Sequence, residues 1–127
     1  MNDPGHLHFT KGHQWLRFES QYAFMGLTDF GQKQLAGMLD VHIPYLHQTL
    51  QEGRFLGAVE AVQSVMELFM PLAGTIVEIN TEILQEPGLV NRKPYDTWIV
   101  KIEYSTTGTP EPLLTAEEYR LFTHTLT

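Results

Sequence analysis

Apolar and polar positions alternate most regularly through "TWIVKIEY", where Trp98, Val100, Ile102 and Tyr104 fall on one face of a predicted strand and Thr97, Ile99, Lys101 and Glu103 on the other. Upstream, "HQWLRFE" and "YAFMGLT" read as aromatic-rich, half-buried strands separated by Ser20-Gln21, and a hairpin is the simplest connection. "FLGAVEAV", "VMELFM" and "GTIVEIN" are further short β runs bounded by Gly, Pro and small polar residues. "DVHIP" is a candidate strand ended by Pro44, which has no N–H to offer a ladder. Helical periodicity is weaker. In "TDFGQKQLAGML", Asp29 and Gln32 resemble a capping box, and Leu35, Met38 and Leu39 recur at i, i+3, i+4, which predicts a short helix weakened by Gly31 and Gly37. Thr115 and Glu118 form a second capping box ahead of the stripe Tyr119, Phe122, Leu126. "YLHQTLQEGRF" is ambiguous apart from a turn at Glu52-Gly53, "TEILQEPGLVNRKPY" reads as an irregular loop, and "STTGTPEP" is turn-rich. The plan is mainly β, a compact barrel or sandwich with short flanking helices.

Composition narrows what such a domain can do. With 127 residues, the chain is expected to form one domain over 1–127, large enough to bury a core without staples. It has no cysteine, which removes disulfides, thiolate metal sites and a nucleophilic thiol. The formal net charge of -7 opposes nucleic-acid binding and favours basic protein partners. No basic segment followed by an apolar stretch opens the chain, and no apolar run approaches the roughly 20 residues of a membrane span. The expectation is a soluble cytoplasmic protein without membrane association. Six histidines raise a metal site, but His6 and His8 open the chain and Pro44 separates His42 from His47, so surface or structural roles are expected and no metal. Ser20, Ser64 and Ser105 lack an elbow-like glycine context, which argues against a hydrolase. Trp15 and Trp98 are expected in the core.

The stretch "GAVEAVQSVMELFMPLAGTIVEIN" holds two β runs around a short turn at Val62-Gln63-Ser64, a design that displays one side chain. In order along the chain, "HQWLRFE", "GLTDFGQKQLAGMLDVHIP", that stretch, "PGLVNRKPYDTWIVKI" and "LLTAEEYRLF" resemble the H-protein family of the glycine cleavage system from His8 to Phe122. The resemblance implies a barrel-sandwich hybrid like that of lipoyl and biotinyl domains, with a lipoate-bearing lysine at a hairpin tip. It implies a carrier without catalysis of its own. In the family the arm passes between the pyridoxal-dependent glycine decarboxylase, the folate-dependent aminomethyltransferase and dihydrolipoyl dehydrogenase, after lipoylation enzymes have attached it. A tip on a rigid scaffold lets several enzymes reach one group.

In this sequence the family's lysine falls on Gln63. Lipoylation needs an amine that can lose its proton and attack an activated acyl group. The nitrogen lone pair of a carboxamide is delocalised into its carbonyl, so Gln63 is neither basic nor usefully nucleophilic. No cofactor is expected on this chain, since Lys11, Lys33, Lys93 and Lys101 lie outside the turn. The family's glutamate beside the early tryptophan, near the amine end of the loaded arm, is matched by Gln14, which is read as an ordinary surface amide ahead of the alternative, a contact to the bound group, that keeps it among the candidate cofactor-binding residues with Gln63, Glu60 and Glu67. Glu60 before the turn is kept, and Glu67 stands where the family carries aspartate; each is a recognition residue or a solvated charge near a strand end. "PYDTW" is one residue shorter than the family pattern. The sequence is therefore read as an H-protein-like docking paralogue that has lost its arm. The alternative is a genuine lipoyl carrier whose lysine has been changed to glutamine so that it cannot be modified. An enzyme using the old arm cleft is the remaining reading.

Overall fold

The computed structural model describes residues 7–35, 37–104 and 113–126. His6 and the turn-rich stretch expected at 105–112 lie outside the described residues. In chain order the elements are β1 (His8–Phe9), β2 (Gln14–Glu19), β3 (Tyr22–Leu27), α1 (Asp29–Lys33), β4 (Met38–His42), β5 (Thr49–Leu50), β6 (Phe55–Ala61), β7 (Val65–Phe69), β8 (Gly74–Ile79), α2 (Thr81–Gln85), α3 (Leu89–Arg92), β9 (Val100–Tyr104) and α4 (Ala116–His124).

The strands form two sheets with antiparallel pairing, one of six strands in the order β1-β2-β3-β9-β8-β5 and one of three in the order β4-β6-β7. Leu16, Met25, Ile76 and Ile102 of the larger sheet and Val41, Leu56, Val59 and Leu68 of the smaller one belong to one buried cluster. The mainly β barrel-sandwich expectation matches this arrangement. Burying one face of each sheet in a shared interior supplies most of the folding free energy. A second, smaller cluster of Leu7, Phe9, Trp15 and Tyr119 includes a residue of α4. No helix among the described residues is long and apolar enough to cross a membrane.

Gly26 lets Trp15 lie against its cross-strand neighbour. The two residues are paired in the ladder, and a Cβ on Gly26 would sit 2.5 Å from Cε2 of the indole. Trp15 is fully buried and donates its indole N–H to the carbonyl of Pro94 at 2.9 Å, so it cannot yield freely. Gly26→Ala is expected to cost about 1–3 kcal/mol through overpacking, measured by urea denaturation.

The elements differ from the sequence expectations at several places. The helix expected through 28–39 ends at Lys33, and Met38 pairs instead with Ala61 as the first residue of β4. Thr28, not Asp29, is its N-cap, accepting from the Gly31 N–H at 3.0 Å. Gly37 at φ 70° lies between α1 and β4, Leu35 follows the end of the helix and Met38 and Leu39 belong to β4, so the three share no helical face. The stretch 81–95, read as a loop, holds α2, started by the Asn80 side chain accepting from Glu82 N–H at 3.1 Å, and then α3. Trp98 does not face inward with Val100 and Ile102. β9 begins only at Val100, and Trp98 packs edge-on against Phe24 with ring centroids 5.2 Å apart while Ile99 is buried. The capping box at Thr115 and Glu118 forms, but α4 ends at His124 and leaves Leu126 exposed.

α4 is tied to the sheet through Tyr119. Its ring stacks on Phe9 at 4.8 Å, and its hydroxyl lies 2.7 Å from Thr28 Oγ1 and 2.8 Å from His13 Nδ1. One arrangement satisfies every group: Gly31 N–H donates to Thr28, Thr28 O–H to Tyr119, and Tyr119 O–H to neutral Nδ1. Burial pushes the Tyr119 hydroxyl pKa up to about 12 and lowers that of His13. The unfolded chain therefore binds the His13 proton more tightly than the folded one. The stability linked to His13 is fully present above its ordinary pKa of about 6.5 and is lost as pH falls below it through the lower folded value. His13→Asn, which tolerates the φ of 65°, is expected to flatten the fall of Tm across that window in calorimetry.

Candidate functional site

β6 and β7 form a hairpin closed by Val62, Gln63 and Ser64, with the Ala61 N–H donating to the Ser64 carbonyl at 2.8 Å. Glu60 pairs with Val65 and Ala58 with Glu67, so the acids sit diagonally on the ribbon, both exposed. Gln63 is exposed at the tip, and Val62 and Val65 beside it are each 63% exposed. The hairpin thus presents a carboxamide between two solvated valines.

The outer face of the three-stranded sheet is acidic. Asp40 pairs with Glu60 in the ladder, and Glu67 lies one strand further. His42 Nε2 is 3.4 Å from both Asp40 Oδ2 and Glu60 Oε2, which brings the three exposed side chains together on this face. Sequence reasoning missed His42 as a neighbour of Glu60. The signal was its position two residues after Asp40, which in a strand puts both side chains on one face. No group of three or more His, Cys, Asp or Glu suited to a metal is found among the described residues.

Gln14 is not a surface amide. It is 3% exposed, and its side chain reaches the far end of β7, where Nε2 donates to the Phe69 carbonyl at 2.9 Å and Oε1 accepts the Phe69 N–H at 3.3 Å. Nε2 also lies 2.9 Å from the sulfur of Met25. The amide therefore does for Phe69 what a residue of a neighbouring strand would do. A carboxylate has no proton to give the Phe69 carbonyl, so the amide and the acid are not equivalent here. Just beyond lies a cleft of about 540 Å³ lined by Thr10, Lys11, Met70, Pro71, Leu113 and Leu114 among others. Thr10 Oγ1 accepts the backbone N–H of Gln14 at 3.3 Å and couples the cleft to this clamp.

The structure therefore separates the four sequence candidates. Glu60 and Glu67 share the outer face below the Gln63 tip, whereas Gln14 is buried at the opposite end of β7. The lysines lie elsewhere. Lys33 pairs with Asp29 at 3.0 Å, Lys101 lies 3.8 Å from Glu78 and over the Tyr22 ring, Lys11 sits over Phe122, and Lys93 caps α3.

The family model for the glycine cleavage H-protein matches residues 7–125. A glycine cleavage system H protein of Bacteroides thetaiotaomicron is 40% identical over 121 residues, covering 94% of this chain and 96% of that protein. One of Bacillus cytotoxicus is 38% identical, covering 98% of each. A crystal structure of a glycine cleavage system H protein from Mycobacterium marinum superposes with a TM-score of 0.87 at 26% identity, over 96% of this chain and 99% of the other.

Proposed function

The chain belongs to the glycine cleavage H-protein family, and from that premise we propose that it is an H-protein-type docking protein, one domain over its 127 residues, that does not carry lipoate and catalyses nothing itself. The carrying observation is chemical. The exposed tip that the family resemblance assigns to the lipoyl-lysine holds Gln63, whose nitrogen cannot attack an activated acyl group. The residue does not fit the group, and no step of a lipoyl cycle runs through this chain. What supports docking is everything around the tip: a protruding hairpin, exposed Val62 and Val65, and acids that strand register places on one face. The partners we propose are those of glycine cleavage: the decarboxylase, the aminomethyltransferase, the dihydrolipoyl dehydrogenase and the enzymes that attach lipoate.

A competition assay tests this reading. Added in excess to a glycine decarboxylase working with a lipoylated H-protein, the chain should support no glycine–bicarbonate exchange alone and should raise the apparent KM for the lipoylated protein without changing kcat. No change in KM would rule out docking on the decarboxylase. The second reading, a carrier blocked by a single lysine-to-glutamine change, draws on the same intact tip. It predicts full exchange from Gln63→Lys alone after lipoylation.

A further inference from the structure

β7 is an edge of the three-stranded sheet. Along it, Ser64 and Met70 direct their backbone groups toward the β6 side, through Ala61 N–H to Ser64 carbonyl at 2.8 Å and Met70 N–H to the Arg54 carbonyl at 2.8 Å. By the alternation of a strand, Val65, Glu67 and Phe69 direct theirs to the open side. At Phe69 both groups are taken by the Gln14 amide. The other edges are managed differently. The Met38 N–H at the start of β4 donates to Asn91 Oδ1, β1 is bridged by Leu114, and β5 has only two residues. Among the described residues this leaves the N–H and C=O groups of Val65 and Glu67 as a short segment of open ladder beside the exposed tip, ended by the Gln14 clamp.

We propose that this edge accepts an extended segment of a partner protein, in which a Lys or Arg lies opposite Glu67 and an apolar residue two positions along lies opposite Val65. It rests on the docking reading above, to which it adds the chemistry of the partner. About four ladder hydrogen bonds would form, two to each open residue. Side chains of the added strand opposite Val65 and Glu67 project on the outer face, where Val65 is 63% exposed and Glu67 is solvated. The basic residue is selected by Glu67 directly, as the cross-strand partner it would face. A second copy of the chain is a poorer occupant, because it brings the same acids and another net charge of -7 against the first.

The test is amide NMR with exchange on the full chain, using the blocked peptide Thr-Val-Thr-Lys-Thr-Val-Thr and its counterpart with Glu for Lys. The Lys peptide should shift the Val65 and Glu67 amides, slow their exchange, and bind roughly fivefold or more tightly than the Glu peptide. Val65→Pro, at the first position of the strand where a proline is tolerated, should abolish the protection while the remaining spectrum stays folded. Glu67→Lys should reverse the peptide preference. Protection by neither peptide, binding undiminished in Val65→Pro, or self-association of the chain without peptide would each overturn the proposal. Inhibition in the competition assay together with no edge protection would reject the edge and leave docking standing; protection without inhibition would do the reverse.

Discussion

Gln14→Glu is expected to lower stability by about 1–3 kcal/mol at neutral pH. In the wild-type protein the amide serves both backbone groups of Phe69, donating at 2.9 Å and accepting at 3.3 Å. An ionised glutamate keeps the acceptor and loses the donor, and it sets a carboxylate against the Phe69 carbonyl and the Met25 sulfur at a site 3% exposed. Burial raises the carboxyl pKa of such a residue. The folded state then holds the proton more tightly than the unfolded chain, so the penalty is small in acid and grows as pH rises through the shifted value. Urea denaturation across that pH range reads both the size and the sign. An unchanged midpoint at every pH would mean that the side chain swings into solvent and that the Phe69 clamp contributes little. The consequence for function is specific: restoring the family's acid at this position returns a negative charge beside the cleft at the cost of the buckle between β2 and β7.

Gln14 also shows where sequence reasoning stopped. Period-two alternation in β2 places it on the face of Leu16, and Leu16 is in the main core. The signal was present but ambiguous, because Trp15 on the opposite face is equally apolar and is buried in the smaller cluster. A strand covered on both sides has no polar face to read, so a lone glutamine beside a tryptophan looked like a surface residue. The hairpins β2–β3 and β6–β7 were legible because turn residues and alternation agree there, as was the Thr115–Glu118 cap, whose chemistry is local. The second half of the expected first helix failed because tertiary pairing of Met38 with Ala61 overrides an accidental helical spacing. The stretch 81–95 carries two prolines and reads as a loop, yet Pro87 and Pro94 fall outside α2 and α3, and Asn80 caps α2. At the tip, exposure followed from pattern, whereas the triad of Asp40, His42 and Glu60 depended on strand register, which a single sequence does not display.

Gln63→Lys is the second change of large expected effect, and here the effect is on chemistry. The position is exposed, so stability should move by no more than about 0.5 kcal/mol. Reactivity should change from none to stoichiometric, since a solvated amine on a rigid hairpin is a competent acyl acceptor. Lipoate ligase or octanoyltransferase is expected to add one acyl group to the variant, read by mass spectrometry. A folded Gln63→Lys protein that stays unmodified would show that the surface recognised by the modifying enzyme has also diverged. If position 14 has the role that the family resemblance gives it, glycine–bicarbonate exchange by the modified variant is expected to remain poor, because Gln14 offers no anion to the loaded amine. Adding Gln14→Glu should improve exchange only where the double variant remains folded, so its activity is to be read beside its urea midpoint.

The most direct test of an H-protein scaffold without an arm is the intact mass of the wild-type chain after production in cells with active lipoylation enzymes, with the Gln63→Lys variant as the positive control. The wild type is expected at its unmodified mass and the variant at the mass of one added lipoyl or octanoyl group. An acyl group on the wild-type chain, mapped by peptide sequencing to Lys11, Lys33, Lys93 or Lys101, would contradict this expectation and place the arm elsewhere on the same fold.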